Sequence, residues 1–137
     1  MYALNGRVGL VTGGGGGIGR AIALRLAGES MAVAVLDRDS SAAQSVAAEI
    51  GGFAITADVT EPEQVDRAVD ATLGRFEKID LLVNNAGVAW MGPTLDMPLE
   101  ALQAMLRVNI EGTFIVSRAV LPHMIARRTG SVVNLAS

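Results

Sequence analysis

The sequence predicts an α/β fold, an open and doubly wound parallel sheet with helices on both faces. Three observations carry this expectation. Five short, almost wholly apolar runs alternate with segments of helical length; five consecutive glycines in "VTGGGGGIGR" (11–20) join the first run to the first helical segment; and each run closes on a small or polar residue. Parallel strands covered on both faces lose the alternation of polar and apolar positions and need helical crossovers, so this pattern excludes an antiparallel sandwich.

The elements follow in order. Val8 to Val11, closing at Thr12, reads as a strand, and Ile18, Ile22 and Leu26 recur at i, i+4 and i+8 on one face of a helix. Met31 to Leu36 is a second strand ending at Asp37. Ser41 and Gln44 then have capping-box spacing for a helix that stops at Gly51 and Gly52. Phe53 to Ala57 is the third strand; Thr60 and Glu63 cap a helix whose Val65, Val69, Leu73 and Phe76 make one apolar face. Ile79 to Val83 is the fourth strand. A long helical region from Pro98 to Arg128 follows, its inward face marked by Leu102, Met105 and Leu106, and "SVVNLAS" (131–137) is the fifth strand. No linker, repeat or second domain interrupts the chain, which reads as one domain over 1–137.

At 137 residues such a domain buries roughly two-thirds of its unfolded surface. Half the residues are hydrophobic and 18% are charged, a globular balance. The net charge is -3, with no block of Lys or Arg, so neither nucleic acid nor an anionic membrane is an expected partner. There is no cysteine, which excludes disulfides and thiolate metal sites; no metal is expected. No secretory signal pattern and no apolar stretch approaching the roughly 20 residues of a membrane span are present, which makes a cytoplasmic protein the default expectation.

Ligands of open parallel sheets bind beyond the carboxyl ends of the strands. The strand-closing residues here are Thr12 with Gly13, Asp37, Asp58, Asn84 with Asn85, and Ser137, a set suited to one cleft. A glycine turn before a helix offers free N–H groups and a positive dipole end to an anion. Its register is open on spacing alone: Gly14, Gly16 and Gly19 satisfy GxGxxG, while Thr12, Gly13, Gly17 and Gly19 satisfy TGxxxGxG. Asp37, 18 residues beyond Gly19, stands where a carboxylate commonly accepts hydrogen bonds from an adenosine ribose, which favours a dinucleotide. A 2′-phosphate there would meet like charge at a cost on the order of a few kcal/mol, partly offset by Arg38, so NAD is favoured over NADP. Asn109, seven residues after Leu102, falls on that inward face, where an amide is buried and must be paired.

Together, Thr12-Gly13 with Gly17-Ile18-Gly19, Asp37, Asp58-Val59, "NNAG" (84–87), Asn109 and "GSVVNLAS" (130–137) resemble the short-chain dehydrogenase/reductase (SDR) family along the whole chain. The resemblance selects the TGxxxGxG register and implies a Rossmann-type sheet in strand order 3-2-1-4-5. It places the pyrophosphate against Gly13 to Gly19, the ribose on Asp37, the adenine by Asp58 and Val59, and the cofactor beside Asn85, Ala86 and Gly87. It implies that Asn109 anchors a proton-relay water and that Ser137 hydrogen-bonds a substrate alcohol or carbonyl. Gly16 stands where NADP-preferring members often carry a basic residue, which again implies NAD. The helical region from Pro98 to Arg128 resembles the part that forms dimer and tetramer interfaces.

The family's YxxxK motif, in which Tyr is the general acid/base, is absent. The only tyrosine, Tyr2, precedes the first strand, and the only lysine, Lys78, precedes the fourth. The expectation is therefore the amino-terminal part of an NAD(H)-dependent alcohol/ketone oxidoreductase, without the later strands of the family and inactive by itself. The alternative is a non-catalytic dinucleotide-binding or regulatory protein that ends at Ser137.

Overall fold

The computed structural model describes residues 4–136. Five strands, β1 (Val8–Thr12), β2 (Ala32–Asp37), β3 (Phe53–Thr56), β4 (Leu81–Asn84) and β5 (Ser131–Asn134), form one sheet in the order β3-β2-β1-β4-β5. Every neighbouring pair is parallel, as the apolar strand pattern predicts, and strand order reverses between β1 and β4, as the family resemblance implies. The crossovers are α1 (Gly17–Gly28), α2 (Ser40–Ile50), α3 (Pro62–Phe76), α4 (Leu99–Met105) and α5 (Thr113–Arg127).

Successive strand residues point to opposite faces, so an apolar strand serves two cores at once. On one face Leu10, Leu36 and Leu82 pack against Val65 and Val69 of α3 and Val116, Val120 and Met124 of α5. On the other, Val11, Val33, Val35 and Val83 meet Ala23 of α1 and Ala43, Val46 and Ala47 of α2. Each such fully buried aliphatic side chain contributes about 1.5–3 kcal/mol. By contrast, β5 is exposed along its length.

Three local expectations are corrected. Asp39, not Ser41, caps α2: its carboxylate accepts from the Ala42 N–H at 3.0 Å and from the Ser41 hydroxyl at 2.8 Å. Glu61 rather than Thr60 precedes α3, because the Thr60 N–H and hydroxyl are both committed to Asp58. The third correction concerns the long helical region, which is interrupted by a widened π-helical segment at Leu106–Gly112. Leu102 and Leu106 face outward, and the inward row is Gly112, Val116, Val120 and Met124. Both rows are apolar at helical spacing, so periodicity alone could not choose between them. The π segment also breaks the seven-residue count from Leu102, and Asn109 lies at the surface instead of in the core. The α2 stop at Gly51 is as expected, with φ 64° in the left-handed region.

Candidate functional site

The site starts from Thr12, whose buried hydroxyl accepts the N–H groups of Asn85 and Ala86 at 3.1 and 3.0 Å and faces the Val83 carbonyl. The Asn85 amide donates in return to the carbonyls of Thr12 and Gly13, each at 3.1 Å. The end of β4 is thereby stapled to the glycine turn. Gly13 has φ 61°, and a Cβ there would stand 2.9 Å from the Ala86 Cα; a Cβ on Gly19 would overlap the Gly13 carbonyl oxygen. These two glycines let the first turn of α1 close onto β4. At Gly16 and Gly17 a Cβ would meet nothing within 4 Å, so the turn is open there. The amino end of α1 has neither a side-chain cap nor an acidic residue in its first turn, which leaves its N–H groups for an anion.

The carboxyl ends of β1, β2 and β4 and the loop after β3 surround a cavity of ≈ 400 Å³. Gly13, Gly16, Ile18, Asp37, Arg38, Asp58, Val59, Asn85, Ala86 and Gly87 all line it. Its size falls within the range of small-molecule sites. Ile18, which shares its helical spacing with Ile22 and Leu26, is 66% exposed and lines the cavity. Gly17 and Gly19 shape the turn without lining the cavity, and Ser137 lies outside the described residues.

Asp37 lies at the end of β2, with one oxygen accepting the Gly15 N–H and the other the Asp39 N–H, both at 3.0 Å. Asp58 is held through Oδ1 by the Thr60 N–H at 2.9 Å and the Thr60 hydroxyl at 2.7 Å. Partial burial opposes its ionisation, but the two Thr60 hydrogen bonds and the charges of Arg38 and Arg107 outweigh that, and its pKa is lowered. It stays an acceptor throughout the neutral range. Asn109 makes a closed pair with the main chain of Val88, accepting its N–H and donating to its carbonyl, both at 2.9 Å. The amide is therefore paired although exposed, and it braces the cavity wall at Gly87 and Val88.

Several contributors have little sequence signal. Gln64 accepts the Asp58 N–H at 2.9 Å from within α3, and Leu36, Ala57, Val88 and Val108 add apolar lining. Buried Asn84 donates to Ser117 and Asn134, tying β4 to α5 and β5.

The sheet order, the glycine turn at the switch point and the acid-lined cavity define a Rossmann-type α/β protein. A family model described as "short chain dehydrogenase" matches residues 7–137, and the chain belongs to that family. It is 41% identical over 143 residues to a 3-oxoacyl-[acyl-carrier-protein] reductase of Synechocystis sp., covering all of this chain and 58% of that one. It is 37% identical over 141 residues to D-threitol dehydrogenase of Mycolicibacterium smegmatis, covering 99% and 54%. Among solved structures, 3-ketoacyl-(acyl-carrier-protein) reductase from Brucella melitensis complexed with NADH matches with TM-score 0.93 and 36% identity, covering 98% and 58%. NAD+-bound xylitol dehydrogenase matches with TM-score 0.92 and 42% identity, covering 99% and 55%. The chain thus spans just over half the length of these relatives.

Proposed function

We propose that the chain holds the cofactor of an NAD(H)-dependent oxidoreductase that interconverts an alcohol and a ketone or aldehyde. The observation that carries this reading is Asp37, a carboxylate oriented by two main-chain N–H groups on the wall of the cavity that the glycine turn opens into. The turn's close packing, its free helix N-terminus and the two carboxylates match the donors and acceptors a dinucleotide needs. Gly13 to Gly19 would hold the pyrophosphate, Asp37 with Arg38 the ribose, Asp58 with Val59 the adenine, and Asn85 to Gly87 the wall beside the nicotinamide. A nicotinamide supplies the hydride acceptor or donor when bound. Asn109 fixes the wall at Val88 and would anchor a water for proton relay, and Ser137 would hydrogen-bond the substrate oxygen.

An outward apolar row on α4, the π segment and α5, including Leu102, Leu106, Ile110 and Phe114, supports self-association as a dimer or tetramer.

Calorimetric titration with NADH and NADPH tests the reading. NADH is expected to bind more tightly; binding of neither would sink the dinucleotide reading, and tighter NADPH binding would overturn the role given to Asp37. The purified chain is expected to oxidise no alcohol with NAD. Its single lysine, Lys78, is paired with Asp80 at the amino edge of the sheet, away from the cleft, so no described lysine is placed to complete an acid/base pair there; the single tyrosine, Tyr2, lies outside the described residues. Measurable NAD-linked turnover would refute that expectation.

A further inference from the structure

Gly15 occupies a variable position of the glycine motif, yet its N–H makes a side-chain contact to the carboxylate on the cavity wall. Its N–H donates to Asp37 Oδ2 at 3.0 Å, and the Asp39 N–H donates to Oδ1 at 3.0 Å. Each oxygen of Asp37 is thus clamped from one side, and each keeps lone-pair capacity directed elsewhere. Two hydroxyls of a ribose can donate to a carboxylate held this way. A 2′-phosphate brings negative charge to the same oxygens. A carboxylate free to swing could turn from that charge toward the neighbouring Arg38 and blunt the discrimination; a clamped one cannot.

We propose that Gly15 is a specificity-determining position: its N–H presets the Asp37 carboxylate, and its lack of a side chain makes that contact possible, so that a ribose with a free 2′-hydroxyl is preferred over one carrying a 2′-phosphate. This rests on the dinucleotide reading above. A Cβ at Gly15 would stand 2.9 Å from Asp37 Oδ2 and 2.7 Å from the Ala42 Cβ. Ala42 is fixed in the first turn of α2, where its N–H is bonded to the Asp39 cap at 3.0 Å, so it does not recede freely. A side chain at 15 therefore displaces the carboxylate or withdraws the N–H that orients it. At Gly28, at the other end of α1 and away from the cavity, a Cβ meets nothing within 4 Å, which makes it the control.

The test is calorimetric titration of the chain, Gly15→Ala, Gly28→Ala and the double variant Gly15→Ala/Ala42→Gly with NADH and with NADPH. Gly15→Ala is expected to weaken NADH binding about tenfold while NADPH changes less than about threefold, the scale of one charge-assisted hydrogen bond. Gly28→Ala should keep the parent ratio. The double variant removes the Ala42 Cβ contact and keeps the Asp37 contact, so its ratio should stay collapsed; it also carries the test if circular dichroism shows that the single variant does not fold. Equal weakening of both cofactors by Gly15→Ala would assign Gly15 to the cradle alone and overturn the proposal, as would recovery of the parent ratio in the double variant. A parent chain that prefers NADH beside a variant that keeps that preference overturns this proposal only. A parent chain that binds neither cofactor, or favours NADPH, overturns the cofactor reading itself.

Discussion

Asp80, just before the amino end of β4, and Asp37, at the carboxyl end of β2, belong to the same sheet and are surrounded in opposite ways. Asp80 is 6% exposed, accepts the Val8 N–H and an Arg127 N–H, each at 2.9 Å, and has Arg7 and Lys78 within 3.5 Å. Its charge is spent inside the protein, where it locks β1 to β4 and α5. Asp37 makes none of the ion pairs found among the described residues; it is oriented by two uncharged N–H groups and faces a cavity. A carboxylate whose charge is matched internally belongs to the architecture, whereas one that is oriented but left electrically unmatched is available to a ligand. In a parallel sheet the two kinds separate to the two edges because the crossover helices start at the carboxyl ends and present their N–H groups there.

The largest effect should come from breaking the ligand edge at its backbone. Gly19→Ala places a Cβ against the Gly13 carbonyl, 2.5 Å from the Asn85 amide nitrogen, and neither can move without releasing β4 from the glycine turn. We expect a stability loss of about 3 kcal/mol in denaturant unfolding, at the upper end for overpacking, together with loss of NADH binding. Stability within about 0.5 kcal/mol of the parent, the level of a neutral surface change, would show that the close approach is dispensable.

The architectural edge should respond differently. Asp80→Asn leaves three cations around a neutral amide and should cost about 2 kcal/mol, below the full penalty for a buried pair because its partners are half-exposed. NADH affinity of the folded variant should match the parent. The acid limb adds a signature. Burial opposes ionisation of Asp80, but the Arg127 and Val8 hydrogen bonds and the Lys78 and Arg127 charges prevail and lower its pKa. A depressed folded pKa means that the stabilisation is complete above the unfolded value, about pH 4, and is lost as pH falls through the folded value. Unfolding followed from pH 7 to pH 3 should therefore fall less steeply for Asp80→Asn than for the parent; equal slopes would remove Asp80 as a source of acid sensitivity.

The sheet was largely legible in the sequence because its strands are covered twice, which makes them continuously apolar and sharply bounded. The residues that line the cavity were legible for a related reason: Asp37, Asp58 and Asn85 interrupt apolar runs at the strand ends. The phase of the long helical region was not, since Leu102 and Leu106 on one side and Val116 and Val120 on the other are equally apolar, and only packing against the sheet separates them. The π segment that carries Asn109 has no residue-level signal comparable to a proline or a glycine pair. Gly15 was illegible for the opposite reason, lost among identical neighbours until its N–H was seen to meet Asp37.

The smallest expected effect lies on Asp58, which stands between the two kinds of carboxylate: Oδ1 is used by Thr60, and the residue still lines the cavity. In Asp58→Asn the amide oxygen continues to accept both Thr60 bonds, so stability should change by less than about 1 kcal/mol. The variant loses a charged acceptor facing the proposed adenine seat, and an amide N–H replaces the second oxygen. NADH affinity should fall about threefold to tenfold, the difference between a charged and a neutral hydrogen bond. Because the Asp58 pKa is lowered, parent affinity should hold from neutral pH to about pH 4 and drop below it, whereas the variant lacks this contribution to the fall. Titrations at pH 7 and at about pH 3, below the ordinary carboxylate range, decide the matter: a variant that binds as tightly as the parent at pH 7 would place Asp58 with Asp80, as a residue the fold uses and the ligand does not.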